Sequence, residues 1–402
     1  MKEHHYFDNA STTWPKPEAV YTFMDSFLRS HGVNPGRSGY QLSVETERMI
    51  GETRRLLAAF FGFGGDPNRV VFTQNATDSL NTALFGLLAP GDHVVSTRLE
   101  HNSVLRPLNH LRRDHDVAVT LVGRDAQGYV DPEDICRALD ARTRVVVVNH
   151  ASNVLGSLQD LDAISKVVAD SDALLMVDTC QSAGVVPIDM DTSGIDVLAF
   201  TGHKGLFGPS GIGGLVVREG IDIRPLRMGG TGVDSLLPFQ PDDYPHHLEA
   251  GTLSVPGIAG LNAAQKWFAD LGREKGGERL SHAEACRAAL RTIDAAEQAH
   301  ITRLDTALRD IEGVSVHGPL GNRPRVAVLS MNIAGIPAEQ TGAMLDADHH
   351  VCVRPGLHCA PLVHEDQSTV GQLGTVRFSP GYFTEDEDIE AAIGAVRDLA
   401  AD

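Results

Sequence analysis

An amine and a carboxylate follow two apolar runs near the middle of the chain. Asp178 comes directly after residues 173–177, and Lys204 follows residues 197–200 after a short polar stretch. Apolar runs of this length predict buried strands, and an α/β sheet binds its ligands beyond the carboxyl ends of its strands. An amine can form a Schiff base with an aldehyde, and a carboxylate can hold a proton on a pyridine nitrogen. The pair therefore predicts pyridoxal phosphate (PLP) as cofactor for carbanion chemistry on an amino acid.

The bulk composition is that of an acidic globular protein. The 402 residues are 42% hydrophobic, and 53 acidic against 34 basic side chains give a net charge of -19. The length predicts two domains, and the charge argues against nucleic acid or an anionic membrane as partner. The first residues lack the apolar core of a signal peptide, no uncharged run is long enough to span a membrane, and five cysteines form no disulfide framework. We expect a reduced, cytoplasmic protein.

Short apolar runs alternate with helical patterns over the first half of the chain. The runs occupy residues 69–72, 93–95, 117–122, 144–148, 173–177, 197–200 and 215–217. Their residues are continuously apolar rather than alternating, which is typical of parallel strands covered by helices on both faces. Asp178 and Lys204 would then lie at the same edge of one sheet.

The remaining sequence predicts a smaller α+β domain. Residues 256–312 have a largely helical pattern, and apolar runs predict strands at 326–329, 351–353 and 376–378. A final helix would start with a capping box of Thr384 and Glu387. We divide the chain into an N-terminal segment (1–20) packing near the site and the small domain, a large cofactor-binding domain (21–260), and a connecting helix with the small C-terminal domain (261–402).

A helix start after the first of these runs is a candidate phosphate site. Residues 75–79 join that run to an amphipathic helix. Free backbone N–H groups at Ala76 and Thr77, the positive end of the helix dipole and the Thr77 hydroxyl would attract an anion. The alternative is an ordinary N-cap. Thr201 and His203, beside the lysine, could donate further hydrogen bonds to the same phosphate.

Three more polar residues follow predicted strand ends. His101 could stack on a pyridine ring and relay protons near the reacting carbon, although a lone histidine in a loop is more often solvent-exposed. Asn153 could hydrogen-bond the phenolic oxygen of the cofactor or the carboxylate of a substrate, and Gln181 could donate to that phenolic oxygen. The alternative for Asn153 and Gln181 is a role in turns.

Two residues of the C-terminal part could act on a substrate. Cys359 lies in a loop bounded by proline and glycine, where Arg354 and His358 would provide the positive surroundings that favour a thiolate. The alternative is a small buried hydrophobic residue. Arg377 could bind an α-carboxylate in a bidentate manner, and its alternative is a solvated surface arginine.

We expect no metal site. Cys352, His358, Cys359 and His364 are close in sequence, but their spacing matches no standard zinc pattern. Cys180, between the predicted carboxylate and Gln181, is expected to fill space beneath the cofactor.

Taken together, these motifs resemble the class V aminotransferase-like PLP enzymes, and within them the cysteine desulfurase and selenocysteine lyase group. The match extends over nearly the whole chain. The matching segments are residues 6–13, 100–102, 152–156, 177–181, 202–204, 249–252, 354–359 and Arg377. The lysine and aspartate are specific for the superfamily, and the arginine–glycine–histidine–cysteine loop is similar to that of SufS-like desulfurases.

The resemblance implies an α/β protein of PLP fold type I. It would have a mostly parallel seven-stranded sheet between helices, a smaller α+β C-terminal domain, and a homodimeric active site at the subunit interface. The implied cofactor contacts are Ala76, Thr77, His101, Asn153, Asp178, Gln181, Thr201, His203, Lys204 and, from the neighbouring subunit, Thr252. The implied substrate contacts are Asn153, Arg354 and Arg377.

The same resemblance implies a reaction. Lys204 would move the α-proton of L-cysteine, with His101 beside the ring, and the Cys359 thiolate would attack the substrate sulfur. A persulfide would remain on the enzyme and L-alanine would leave. A sulfur-acceptor protein is a possible partner.

Other functions stay open from the sequence alone. The loop 34–40 has Tyr40 about where SufS-like enzymes usually carry a histidine, which leaves the substrate and the sulfur acceptor undetermined. The alternatives are selenocysteine lyase, another class V enzyme (aminotransferase, epimerase or C–S lyase), and a non-catalytic scaffold or sulfur carrier. We expect a desulfurase, because Cys359 lies near Arg354 and His358.

Overall fold

The structure is a computed structural model that describes residues 4–36 and 39–401. Arg37 and Ser38 of the loop 34–40 therefore lie outside the described residues. The strands are β1 (His5–Tyr6), β2 (Val70–Thr73), β3 (His93–Thr97), β4 (Ala118–Val122), β5 (Thr143–Asn149), β6 (Leu174–Asp178), β7 (Val197–Thr201), β8 (Gly213–Val217), β9 (Val314–His317), β10 (Leu329–Ile333), β11 (Val351–Cys352), β12 (Arg354–Gly356) and β13 (Thr375–Phe378). The helices are α1 (Glu18–His31), α2 (Gln41–Phe60), α3 (Ala76–Leu87), α4 (Asn102–Asp114), α5 (Pro132–Ala138), α6 (Leu161–Ala169), α7 (Val255–Gly276), α8 (His282–Arg309), α9 (Ala338–His349), α10 (Pro361–Asp366) and α11 (Asp386–Ala401).

A seven-stranded sheet forms the centre of the molecule, with the strand order β2-β8-β7-β6-β5-β3-β4. Strands β4, β3, β5, β6 and β7 are paired in parallel, and β8 is antiparallel to both of its neighbours. Each of the seven apolar runs of the sequence overlaps one of these strands. The predicted mostly parallel α/β fold is confirmed.

Helices cover both faces of this sheet. Adjacent residues of β7 belong to opposite cores: Leu198 packs in the core with α1, α2 and α7, and Ala199 packs in the core with α3 and α4. Side chains alternate across a strand, so a strand covered on both sides must be apolar at every position. This explains why the runs in the sequence are continuous rather than alternating.

Helix α8 connects the large sheet to a second one. It begins with a capping box of Ser281 and Glu284. Ile293 packs in the core of the large sheet, and Leu304 packs in the core of the small sheet. The small sheet is antiparallel, with the order β12-β13-β10-β9. The proposed boundary between residues 260 and 261 falls inside α7, and the division into domains stays a prediction.

Two local predictions for the small domain are wrong. The predicted strand 326–329 is shifted to β10, because the Val326 N–H donates to the Gly156 carbonyl instead of joining the sheet. The predicted strand at 351–353 is confirmed as β11, which pairs in parallel with β1 and not with the small sheet. The last helix begins at Asp386, and no Thr384–Glu387 capping box forms among the described residues, because the Thr384 Oγ1 accepts a hydrogen bond from the Gly381 N–H.

None of the helices within residues 4–36 and 39–401 combines the length and the apolar character needed to cross a membrane.

Candidate active site

The carboxyl ends of the parallel strands open into a cavity of about 210 Å³. Asp178 ends β6, and Thr201 ends the neighbouring β7. Eleven of the predicted site residues line the cavity: Ala76, Thr77, His101, Asn153, Asp178, Gln181, Thr201, His203, Lys204, Arg354 and Arg377. Cys359 and Thr252 are not among the residues that line it.

Lys204 and Asp178 provide the amine and the carboxylate of this cavity. Asp178 is 5% exposed, and its Oδ1 accepts a hydrogen bond of 2.9 Å from the Cys180 N–H. Burial lowers the pKa of Lys204, although the nearby Cys180 and Asp178 oppose the shift. A lowered pKa increases the fraction of neutral amine, which is the nucleophilic form. The pair can therefore bind an aldehyde and a protonated ring nitrogen.

Helix α3 points its N-terminus at the cavity. Asn75 is an N-cap, because its side chain accepts a hydrogen bond of 3.0 Å from the Asp78 N–H. The segment is therefore an ordinary N-cap, and it also borders the candidate phosphate site, since Ala76 and Thr77 line the cavity. The N–H groups of a first helical turn have no acceptor inside their own helix. They are suited to an anion.

Two buried polar atoms lie on the β7 side of the cavity. Within the described part of the chain, neither the Thr201 Oγ1 nor the His203 Nδ1 has a hydrogen-bond partner. Burial lowers the pKa of His203 to about 4, so the imidazole is neutral near pH 7. Unsatisfied buried polar atoms are costly, and their presence beside a helix N-terminus indicates a ligand that accepts hydrogen bonds.

His101 is the N-cap of α4 and faces the cavity. Its Nδ1 accepts a hydrogen bond of 3.0 Å from the Ser103 N–H, which leaves the proton of the neutral ring on Nε2. Burial lowers the pKa of His101 to about 4, with Lys204 and Arg354 acting in the same direction and Asp178 opposing. The alternative of a solvent-exposed loop histidine is wrong.

Glu100, which was not predicted from the sequence as a site residue, lies beneath this region. Its Oε1 accepts hydrogen bonds from the Thr97 hydroxyl (2.6 Å) and the Asn149 N–H (3.0 Å). Complete burial raises the pKa of Glu100 to about 8, so the carboxyl is mainly protonated at neutral pH. The sequence signal that could have identified Glu100 is an acidic residue shortly after the apolar run 93–95.

Gln181 reaches the N-terminal segment from the cavity. Its Nε2 donates a hydrogen bond of 3.0 Å to the Ala10 carbonyl. Cys180 lies beside it and also lines a small adjoining cavity of about 40 Å³. Burial raises the pKa of the Cys180 thiol well above its usual value, so it stays protonated and can fill space as expected.

Two arginines form the opposite wall. Arg377 is 1% exposed, so the alternative of a solvated arginine is wrong. Its Nη2 donates to the Asp8 Oδ1 and the Ser11 Oγ, both at 2.8 Å, and the Nη1 of Arg354 also donates to the Ser11 Oγ at 2.8 Å. Two guanidinium groups face one carboxylate, which leaves an excess positive charge for an anionic ligand. Ser11 was not singled out from the sequence as a site residue.

Cys359 lies outside the cavity, in the loop that follows β12. It is exposed, so the alternative of a buried hydrophobic cysteine is wrong. His358 and Cys359 are both in the left-handed region, with φ of 48° and 56°. Two hydrogen bonds of 2.7 Å hold their carbonyls: the Asn153 Nδ2 donates to His358, and the Asn102 N–H donates to Cys359.

His358 does not provide the positive charge that the sequence predicted for this loop. Burial and the neighbouring Arg377 lower the pKa of His358 well below its usual value, so its ring is uncharged at neutral pH. Its Nδ1 lies 3.4 Å from the Nε2 of His364, whose pKa burial lowers to about 4. Arg377, in contrast, interacts electrostatically with Cys359.

Thr252 lies in a different place from the other predicted site residues. It lines a separate cavity of about 1030 Å³ together with residues of the loop 34–36 and residues 230–233. Exposed apolar side chains lie in the adjoining segment, where Met228 is 71%, Leu236 is 100% and Phe239 is 83% exposed.

The chemistry of the main cavity fits PLP. It combines an amine of lowered pKa, a buried carboxylate, a helix N-terminus, and the Thr201 Oγ1 and His203 Nδ1, which have no partner within residues 4–36 and 39–401. The phosphate, the pyridine nitrogen and the aldehyde each have a matching group.

Comparisons with known proteins agree with this site. Residues 5–392 match the model of the family described as aminotransferase class-V. A probable cysteine desulfurase of Methanothermobacter thermautotrophicus is 32% identical over 405 aligned positions, covering 100% of this chain and 96% of the relative. The apo structure of a cysteine desulfurase from Thermococcus onnurineus has a TM-score of 0.89 at 30% identity, over 99% of this chain and 95% of that one. Escherichia coli CsdA, a cysteine desulfurase, has a TM-score of 0.83 at 26% identity, over 99% and 94%.

The fold and the cavity define a PLP-dependent enzyme of fold type I. The chain belongs to the class V aminotransferase family, and the resemblance predicted from its motifs is confirmed.

Proposed function

We propose that the protein is a PLP-dependent cysteine desulfurase, which converts L-cysteine to L-alanine and transfers the sulfur to Cys359 as a persulfide. The observation that carries the proposal is the geometry of one cavity. It places Lys204 and Asp178 at neighbouring strand ends, an arginine wall opposite them, and a cysteine loop at its side. The names of the relatives support the same activity.

The cavity residues divide into those for the phosphate and those for the ring. The N–H groups of Ala76 and Thr77, the Thr201 hydroxyl and His203 would bind the phosphate. Asp178 would hold the proton on the ring nitrogen, His101 would stack on the ring, and Gln181 and Asn153 would contact the phenolic oxygen or substrate. When bound, PLP supplies an electron sink for the carbanion formed at the substrate α-carbon.

The arginine wall would bind and orient the substrate. Arg377 and Arg354 would hold its α-carboxylate, and the Oδ1 of Asn153, which has no partner within residues 4–36 and 39–401, could accept a hydrogen bond from its amino group. Lys204 would then take the α-proton, because its lowered pKa makes the neutral amine available as a base.

Cys359 would carry out the sulfur transfer. Its thiolate attacks the sulfur of the substrate, a new S–S bond forms, and the C–S bond breaks with its electron pair going to the carbon skeleton. Protonation of that skeleton gives alanine, and the persulfide stays on the enzyme. The thiol is exposed, so a reductant or an acceptor protein can reach the persulfide.

The site would be completed by a second copy of the chain. Thr252 lines a different cavity, to which residues 230–233 also contribute. Leu236 and Phe239, which follow that segment in sequence, are exposed apolar side chains of the kind that dimer interfaces bury. We therefore infer a homodimer in which Thr252 binds the phosphate of the neighbouring site. Mixed dimers of Lys204→Ala and Thr252→Ala subunits would regain one intact site and hence activity, which neither parent dimer would show in full.

Incubation with L-cysteine tests the activity itself. We expect alanine and sulfide in equal amounts when a reductant is present, and one added sulfur atom on the peptide of Cys359 when it is absent. Cys136 is also an exposed thiol, so Cys136→Ser is the matched control and should retain both results. Parallel assays with selenocysteine give the ratio of sulfur to selenium turnover.

Two results would contradict this function. Full desulfurase turnover in Cys359→Ala would show that Cys359 is not the sulfur acceptor. A purified protein that stays colourless with added PLP would instead support a scaffold without catalysis.

A further inference from the structure

The pairing of β1 with β11 brings three metal-binding side chains together outside the catalytic cavity. Tyr6 pairs with Cys352 across these strands, which places His4 beside the end of α9. One ligand atom each of His4, Asp346 and Cys352 lies within 4.8 Å of the other two. The Cys352 Sγ and the Asp346 Oδ1 are 3.9 Å apart. None of the three residues lines the cavity that contains Lys204.

We propose that His4, Asp346 and Cys352 bind one divalent transition-metal ion, with Zn²⁺ as the best match. Imidazole, carboxylate and thiolate are the three ligand types of protein zinc sites, whereas Ca²⁺ and Mg²⁺ select oxygen ligands. With Zn–S of about 2.3 Å and Zn–O of about 2.1 Å, a tetrahedral S–O edge is about 3.6 Å long. The Cys352–Asp346 pair already has nearly this separation.

The remaining positions around the ion are accessible. His4 and Asp346 are exposed and Cys352 is partly exposed, so a hydrated ion can reach all three. A water molecule can supply the fourth ligand.

The site would fasten the start of the chain to the small domain. β1 leads directly to Asp8 and Ser11, which accept hydrogen bonds from the arginine wall, and β11 leads to Arg354 of that wall. A bound ion would therefore stabilise the β1–β11 pairing without touching the reaction. The expectation of no metal site was based on local sequence spacing, which cannot detect His4, because it lies 342 positions before Asp346 in the sequence.

Zinc binding to the tag-free holoenzyme tests the proposal. After treatment with a chelator, the protein is titrated with Zn²⁺ in competition with a chromophoric chelator. We expect one equivalent to bind tightly and the thermal midpoint to rise by several degrees. Cys352→Ser and Asp346→Asn should each weaken binding by about tenfold or more and lose most of the thermal shift.

The controls separate this site from other thiols. Cys136→Ser removes an exposed thiol elsewhere, and Cys359→Ala removes the exposed thiol of the active-site loop. Both should bind Zn²⁺ like the wild type. Unchanged binding in Cys352→Ser, or loss of binding in Cys359→Ala, would overturn the proposal. If Cys352→Ser does not fold, His4→Gln, at an exposed position before β1, gives the same decision.

Discussion

The floor of the cavity and the Cys359 loop are built in opposite ways. The floor consists of strand ends of the seven-stranded sheet, where Asp178 and Thr201 are buried and fixed by backbone ladders. The loop has two consecutive left-handed residues and an exposed thiol. It is held by hydrogen bonds to the carbonyls of His358 and Cys359 rather than by a sheet.

The difference shows how each region obtains its reactivity. On the floor, burial sets the protonation states: it lowers the pKa of Lys204 and His101 and raises that of Glu100. In the loop, the backbone anchors fix position and leave the Sγ free. A substitution in the floor should therefore slow every step of the reaction, whereas a substitution in the loop should slow only the transfer of sulfur.

The largest effect is expected on the floor. Lys204→Ala removes both the amine that binds the cofactor and the base, so turnover should fall by at least about 10³-fold. Borohydride reduction followed by peptide mass spectrometry should label Lys204 in the wild type and nothing in the variant. Lys166→Ala, on the exposed side of α6, is the control. A label at another lysine would contradict the assignment of the floor.

The loop is tested by Cys359→Ala. Formation of sulfide and alanine should fall by about 100-fold, whereas exchange of the substrate α-proton in D₂O, followed by NMR, should continue. The reason is that proton transfer would need only the floor. If the exchange stops as well, the floor and the loop do not act separately. Cys136→Ser should change neither measurement.

Thr201→Val distinguishes ligand binding from stability on the floor. The buried hydroxyl has no partner among the described residues, so its removal should leave the thermal midpoint of the PLP-free protein unchanged or slightly higher. The affinity for PLP should fall by about 10-fold, because a hydrogen bond to a charged phosphate is lost. A lower midpoint with unchanged PLP affinity would mean that the hydroxyl is structural.

The smallest effect concerns pH. Burial lowers the pKa of His150, just beyond β5, to about 4, below its unfolded value of about 6.5. Between these values the unfolded state binds more protons, so the free energy of unfolding should rise with pH and fall as pH drops from about 6.5 to 4. The slope is at most about 1.4 kcal/mol per pH unit. His150→Gln should reduce it in chemical denaturation at several pH values, and an unchanged slope would contradict the neutral buried state.

Much of the floor could be predicted because its signals are local. The continuous apolar runs before Asp178 and Lys204 determine buried parallel strands, and strands of one sheet end at one edge. The motif at Asn75 likewise determines a helix start. Each of these inferences needs only the pattern of neighbouring residues.

The loop and the arginine wall required long-range information. Arg377 meets Ser11 across 366 positions, and its burial excludes the alternative of a solvated side chain. The neutral state of His358 and the shift of strand 326–329 to β10 also depend on partners distant in sequence.

The sequence by itself therefore determined the class of sheet, the ends of its strands and the chemical types gathered there. Only the tertiary structure decided which of these groups are charged, which are held by a neighbour, and that the thiol of Cys359 lies outside the cavity. The physical reason is that the hydrophobic pattern depends on neighbouring residues in the sequence, whereas the burial and charge of a side chain depend on the residues that the fold packs against it.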